Sequence, residues 1–493
     1  MSSIKVATHT LGCKVNQCDT EAVIARLTDI GCTIVDFSAI ADIYIINTCT
    51  VTHASDKKSR QIVRRARKQN LGAIVAVCGC MTKSSPKATE ELGVDIVFDA
   101  REPSEFISFV RDQGRVHSTI TPTPNHSRTR AFIKIQDGCD RFCSYCIVPY
   151  VRGKPTSRPL LDILNETATH AKSGVLEIVL TGIQVASYGE DIGTVSSLTE
   201  GIALQKYANV PVKREACLQS KHMVHVYSCE AGATELQATR PVHEVCERTH
   251  GYEAMVSKRK QCGSTNLSIL LEQVLQTTNI PRVRLSSLEP HAITNEFLHV
   301  AATFPALCDH FHLSLQSGCD TTLAQMNRRY TTIDYAKIVA KIRDIRPAAA
   351  ITTDIIVGFP GETDAHFTES LAFVQAMEFA QVHVFEYSKR DGTPAATMPG
   401  QVPDAIKTDR GKQMRTLAKK LTQNFYQIQV GKTMPVLFEQ KKDGMWQGRT
   451  SNYCPVSVCS KIDLANTIQP VNITACTLQS LQGEAQNIQE EYL

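Results

Sequence analysis

Three cysteines within eight residues constrain this chain more than any other feature: Cys139-Asp-Arg-Phe-Cys143-Ser-Tyr-Cys146, directly after the β-branched run Ile133–Gln136. Three thiolates in one loop can bind three irons of a cubane cluster and leave the fourth iron open to a substrate or cofactor. A closed zinc site asks for four ligands and an electron carrier for a fourth cysteine, so a zinc knuckle is the lesser reading. Such a loop belongs at the C-terminal end of a strand, where sites in β/α proteins form.

The pattern around it supplies such strands. In residues 1–117, Lys5–Thr10, Asp42–Asn47 and Ala73–Val77 read as strands, with helical patterns at about 20–29 and 55–69. Strands separated by helices predict an α/β fold with a doubly wound parallel sheet. Residues 118–130, polar and with two prolines, read as a linker. Residues 131–403 carry six candidate strands (Ile133–Gln136, Glu177–Thr181, Arg282–Ser286, His312–Leu315, Thr353–Val357 and Val382–Tyr387), which predicts a partial (β/α)6 barrel. Inside it, about 194–265 lacks periodicity and carries Cys217, Cys229, Cys246 and Cys262 in no ligand spacing. It reads as an irregular or disordered insertion, or as translated non-coding sequence; a zinc site with His243 and His250 is the weaker alternative. A helical stretch at 404–426 leads to 427–493, where Met434–Glu439, Gly448–Arg449, Pro455–Val458 and Ile468–Thr474 predict a small β-barrel.

Eighteen cysteines in a chain with no export signal argue against a disulfide scaffold and for metal or cluster work. No apolar run reaches membrane-span length, so the expectation is a cytoplasmic protein with no membrane partner. A second cysteine set is more diffuse. Cys13, Cys49 and Cys80 each follow one of the N-terminal strands and would lie along one sheet edge, although Cys18, Cys32 and Cys78 compete for that role. The 53 basic and 49 acidic residues leave a net charge of only +4, yet Lys57, Lys58, Arg60, Arg64, Arg65, Arg67 and Lys68 crowd one predicted helix. Positions 57, 60, 64 and 68 share a face, and mutual repulsion favours a polyanion over a merely solvated helix.

These residues carry a resemblance. Thr10-Leu-Gly-Cys13-Lys-Val-Asn16-Gln, Asn47-Thr-Cys49, Gly79-Cys80, Asp137-Gly-Cys139 through Cys146, Leu285-Ser-Ser-Leu-Glu289-Pro, Leu313-Ser-Leu-Gln316-Ser-Gly and Gly358-Phe-Pro-Gly-Glu362-Thr resemble the methylthiotransferases of the radical S-adenosylmethionine (SAM) superfamily. The Gly-Cys-Lys-Val-Asn-Gln opening, the Asp56-to-Gln61 run and Tyr387-Ser-Lys-Arg390-Asp-Gly-Thr393 resemble the bacterial branch acting on threonylcarbamoyladenosine in tRNA. The resemblance implies two [4Fe-4S] clusters, one on Cys139, Cys143 and Cys146 and an auxiliary one on Cys13, Cys49 and Cys80, the last preferred over Cys78 because it follows a glycine. It implies SAM as cofactor, with Tyr145, Glu289, Gln316 and Glu362 as candidate contacts, and addition of a methylthio group to C2 of N6-threonylcarbamoyladenosine at position 37 of the anticodon loop. The implied partners are the tRNA anticodon stem-loop, a reductase and a sulfur donor.

The tail resembles, more weakly, the TRAM-like RNA-binding barrels of tRNA-modifying enzymes, with Lys441, Lys442 and Arg449 near the backbone and Tyr453 stacking on a base. The alternatives are an isopentenyladenosine or ribosomal-protein substrate, or a non-enzymatic iron–sulfur RNA-binding protein.

Overall fold

Three six-residue strands rich in β-branched and apolar side chains, the middle one wholly buried, build the N-terminal sheet. In the computed structural model, which describes residues 3–113, 129–192 and 265–486, β1 (Lys5–Thr10), β2 (Thr33–Val35), β3 (Ile43–Thr48), β4 (Ile74–Gly79) and β5 (Ile96–Val97) pair in parallel in the order β2-β1-β3-β4-β5. All six residues of β3 are buried, as expected of a strand covered on both faces. Helix α1 (Lys14–Asp29) packs Val23 and Leu27 on one face with Ile43, Ile45 and Cys78. Helix α2 (His53–Gln69) packs Ile62, Val63 and Ala66 on the other with Tyr44, Ile46 and Val77. The strand order reverses at β1 and β3, so a crevice opens beyond their C-terminal ends. Helix α1 begins six residues before the sequence pattern suggests, because its first turns bury Asn16, Asp19 and Thr20, polar residues that apolar periodicity passes over. The edge strands β2 and β5, of three and two residues, are too short to show in the sequence.

The chain then forms β6 (Arg130–Asp137), β7 (Thr156–Ser157), β8 (Glu177–Gly182) and β9 (Arg282–Leu285), in the order β7-β6-β8-β9, and β10 (His310–His312), β11 (Ala350–Val357) and β12 (Gln381–Glu386) in sequence order. All neighbours but β7 are parallel, and bridges at Val283–Leu307 and Leu288–Leu313 join β9 to the segment around β10. Ile178, Leu180, Val283, Phe311, Ile351 and Ile355 point into one apolar core with the surrounding helices. Alternation along each strand turns Glu177, Arg282, Arg284, His310, His312, Asp354 and His383 to the opposite face. Strands β8 and β9 pair in register from Glu177–Arg282 to Leu180–Leu285, so the sheet runs unbroken across the predicted insertion. That insertion, with its cysteines, His243 and His250, lies outside the described residues, as does most of the 118–130 linker.

A helix at Asp404–Gln427 leads to β13 (Thr433–Lys442), β14 (Met445–Thr450), β15 (Pro455–Val458), β16 (Ile468–Cys476) and β17 (Leu481–Ala485), a closed barrel in the order β13-β14-β15-β17-β16. Strand β17 escapes the sequence pattern because Leu481 is its one fully buried residue. No described helix is long and apolar enough to cross a membrane.

Candidate functional site

The two glycine–cysteine pairs of the N-terminal sheet are fixed by crowding. Gly12 has φ +100°, and a Cβ there would stand 2.9 Å from Cys49 Cβ and 3.0 Å from its sulfur. Gly79 has φ +91°, and a Cβ would collide with Asn47 Oδ1 and come within 2.5 Å of the Thr48 carbonyl. Glycine alone allows β1, β3 and β4 to end this close together. Cys13 is the N-cap of α1, Cys49 directly follows β3, and Cys80 opens the short helix after β4. The three thiols lie within electrostatic reach of one another. The competitors lie elsewhere: Cys78 and Cys32 are buried in the core beneath α1, and Cys18 faces the Phe132 carbonyl at 3.7 Å.

Buried polar groups lace this edge to the loop after β6. Asn16 donates to the carbonyls of Leu11 (2.8 Å) and Thr48 (3.0 Å), and Asn47 donates to the Asn16 carbonyl at 2.9 Å. Arg152 grips both oxygens of Asp137 at 2.8 Å, reaches Asn16 and Asp19, and lies within electrostatic reach of Cys80. Burial pushes the Cys80 thiol up to about 11, with Arg152 pulling the other way. Ser59 of α2 bonds both the N–H and the C=O of Cys49, so the basic helix is stitched to a cysteine loop.

The loop after β6 is just as tight. A Cβ on Gly138 (φ +74°) would overlap the Lys154 carbonyl. Cys139 N–H donates to the Gly153 carbonyl and Cys146 N–H to that of Cys143, both at 2.9 Å. Burial raises Cys139 to about 11 and Cys146 to about 12, and these two thiols also feel Cys143. With the Gln184 oxygen accepting from Arg141, its amide nitrogen stands 3.0 Å from Cys139 Sγ, a donor suited to a thiolate. Arg328, which the sequence pattern did not single out, donates to Cys143 Sγ (3.4 Å), Glu289 Oε1 (3.0 Å) and the Ser314 carbonyl (3.0 Å). Its only sequence trace is the Arg328-Arg329 pair after Asn327.

Both sets fit an iron–sulfur cluster by the chemistry of their donors. Each offers three thiols held by tight glycine turns, from one loop in the first case and from the ends of three strands in the second, with protons that a metal must displace and a buried arginine beside a sulfur that offsets the negative charge of a thiolate cluster. Replacing Arg328 by Met removes one donor and one positive charge from Cys143, so the potential of the Cys139/Cys143/Cys146 centre should fall. An EPR-monitored redox titration of R328M checks this, and a potential equal to wild type would remove Arg328 from the tuning role.

The other candidates divide. Glu289 is held by Arg328, by Arg141 at 3.6 Å and by His291 at 3.3 Å. Gln316 takes φ +77°, a conformation costly for a residue other than glycine, and bonds Asp354 and Ile356 of β11. Glu362 spends Oε2 on the Gly358 N–H (2.6 Å) and on Arg410 (2.8 Å), so it closes the 358–362 turn; Tyr145 packs with Met326, Phe359, Tyr387 and Ala395. On α2, Lys57, Lys58, Arg64 and Lys68 are exposed, whereas Arg60 pairs with Asp56 at 3.2 Å and Arg67 with Asp95 at 2.9 Å. Lys441 and Lys442 are exposed on β13. Tyr453 lies under the guanidinium groups of Arg449 (4.4 Å) and Arg284 (4.5 Å) and beside His310, in the joint between the small barrel and β9–β10. Arg449 is half-buried in the same joint.

Comparison with known proteins agrees with this geometry. A family model described as "Uncharacterized protein family UPF0004" matches residues 5–99, and the "Radical SAM superfamily" model matches residues 269–374. The second match begins after the 194–265 segment and leaves out the Cys139–Cys146 loop, although β8 and β9 join the two parts in one sheet. The chain is 31% identical to the threonylcarbamoyladenosine tRNA methylthiotransferase MtaB of Bacillus subtilis, over 99% of this chain and 97% of that one. It is 31% identical to MtaB of Thermotoga maritima over 89% and 87%, and 31% identical to the tRNA-2-methylthio-N(6)-dimethylallyladenosine synthase of Clostridium tetani over 97% and 95%. Near-full-length similarity of this order, over a chain that holds both cysteine sets, places it among the methylthiotransferases of the radical SAM superfamily.

Proposed function

We propose that this enzyme adds a methylthio group to C2 of N6-threonylcarbamoyladenosine at position 37 of a tRNA anticodon loop. The observation that carries the reading is the pair of three-cysteine sets, one in the single loop after β6 and one spread over the ends of β1, β3 and β4, with Arg152 between them, beside Cys80 on one side and bonded to Asp137, two residues before Cys139, on the other. When bound, two [4Fe-4S] clusters and SAM supply the reductive cleavage of SAM and the transfer of sulfur and methyl. The chain's own residues hold and screen the site. Arg152 and Asn16 keep the Cys13 and Cys80 loops in register with the β6 loop, and Arg328 and Gln184 donate to ligand sulfurs. Glu289 and Gln316 are read as SAM contacts, with Tyr145 packing the loop from behind and Glu362 holding the neighbouring turn.

Residues 1–117 would then be the auxiliary-cluster domain and 131–403 a partial (β/α)6 barrel, with 118–130 as linker. Helix 404–426 would carry the TRAM-like RNA-binding barrel of 427–493. Exposed Lys57, Lys58, Arg64 and Lys68 would meet the phosphates of the stem-loop beside the Cys49 loop, where a single-stranded base can be splayed into the site. A reductase and a sulfur donor complete the cycle, in the cytoplasm where tRNA is found.

The threonylcarbamoyl substrate is preferred to isopentenyladenosine on the Gly-Cys13-Lys-Val-Asn16-Gln opening and the Tyr387–Thr393 segment. Nucleoside mass spectrometry of tRNA from cells lacking the activity, with and without this chain, should show methylthio-threonylcarbamoyladenosine only when the chain is expressed. The methylthio-isopentenyl product instead would overturn the substrate and keep the chemistry.

A further inference from the structure

Among residues that belong to neither cysteine set, three potential ligands converge on the face of β10–β12 opposite the helix-packed core. One ligand atom each from His312, Asp354 and His383 lie within 4.8 Å of one another. The strands themselves create the meeting. Register pairs Asp354 with His383 across β11 and β12, and His312 with Thr352 across β10 and β11, so the three side chains rise on the same face of neighbouring strands.

Two details point to a metal rather than to an ordinary polar contact. His312 Nδ1 is held by Thr352 Oγ1 at 2.9 Å, which orients the ring and presents Nε2 to Asp354 Oδ2 at 3.2 Å. An outer hydroxyl that orients a liganding imidazole is a recurring feature of metal sites. Bonds of about 2.0–2.2 Å from one ion to a histidine nitrogen and a carboxylate oxygen leave those atoms about 3 Å apart, the spacing observed here. The second imidazole, His383, is 5.8 Å from His312 between ring centroids. A single proton shared by His312 and Asp354 would leave this third group without a function in the cluster.

We propose that His312, Asp354 and His383 form a three-ligand site for a divalent first-row transition ion, separate from the iron–sulfur clusters. Two histidines and one carboxylate on neighbouring strands leave coordination positions open for water or an oxygen ligand. His383 is exposed on the edge strand β12, which gives the ion a way in.

The test uses the full chain with both clusters assembled under oxygen-free conditions and Mn2+ as the probe, because this hard ion disfavours the remaining thiols. Free Mn2+ is read by its room-temperature EPR signal. Wild type should bind about one Mn2+ per chain, and D354N and H383A should each weaken that binding by about tenfold or more at unchanged cluster iron. Zn2+, higher in the affinity series, should displace the Mn2+ from wild type. His383 is exposed, so H383A decides the matter even where D354N misfolds. Equal Mn2+ binding by wild type and H383A, or no binding by wild type at millimolar metal, would overturn the site and leave a proton-sharing His312–Asp354 pair.

Discussion

Replacing Cys139, Cys143 and Cys146 together by alanine should yield a folded protein that, after anaerobic reconstitution, holds about four irons per chain where wild type holds about eight. The same variant should release no 5′-deoxyadenosine from SAM and make no methylthio nucleoside. The Cys13/Cys49/Cys80 triple variant should also hold about four irons and make no methylthio product, yet still cleave SAM. The asymmetry follows from the architecture. Cys139, Cys143 and Cys146 lie in the loop after β6, shaped by Gly138 and braced by Arg328, whereas the other set hangs from β1, β3 and β4 over separate apolar cores. The N-terminal sheet has apolar cores of its own, so each set should keep its fold without the other's ligands. Iron analysis together with chromatography of the SAM products checks both variants. SAM cleavage by the first triple variant would remove those cysteines from the cofactor-cleaving role, and about eight irons in either would mean another cysteine, such as Cys78 or Cys18, had been recruited.

The contrast between what could be read from the residues and what could not is physical. Cysteine spacing within one loop is local, so the Cys139–Cys146 set announces itself. Cys13, Cys49 and Cys80 are far apart in sequence, and only the reversal of strand order at β1 and β3 brings them to one edge. Cys78 and Cys80 look equivalent in sequence. In the sheet, Cys78 belongs to a strand position pointing into the core beneath α1, while Gly79, with its left-handed φ, turns Cys80 toward Cys49. Arg152 and Arg328 escaped notice because an arginine's meaning lies in what it reaches, here Asp137, Asp19 and two cysteines from distant elements. The reverse holds for Tyr453: an aromatic beside basic residues suggests base stacking, but the arginines that engage its ring include Arg284, from another part of the fold. The His312–Asp354–His383 meeting depends on register between strands about forty and thirty residues apart, which no local pattern reports.

Glu177 should be the most costly single position for stability. It is fully buried at the start of β8, with Arg130 at 2.6 Å, Arg284 at 2.9 Å and Arg282 at 3.8 Å. The three arginines reach on to the small barrel: Arg282 donates to the Arg449 and Pro435 carbonyls, Arg284 to that of Ser451, and Arg130 pairs with Glu439 at 2.7 Å. One buried carboxylate therefore faces all three cations that dock the C-terminal barrel, with Glu439 as a second counter-charge on Arg130. Glu177→Gln leaves the buried Arg284 and Arg282 without the carboxylate they face, while Arg130 keeps Glu439, and a loss of about 3–5 kcal/mol is expected in urea unfolding at pH 7. Burial alone would raise the Glu177 carboxyl, but Arg284, Arg130 and Arg282 outweigh it and hold the group at about 2. A carboxyl depressed on folding stabilises the fold above its unfolded value, near 4.5, and loses that contribution as pH falls towards 2. Wild type should thus lose stability steeply between pH 4.5 and 2, and the Gln variant much less. The double variant E177Q/R284M should recover part of the loss, because it removes the charge that Glu177 exists to balance. A Gln variant within about 1 kcal/mol of wild type would show that water reaches these arginines and that carbonyls alone hold the barrel in place.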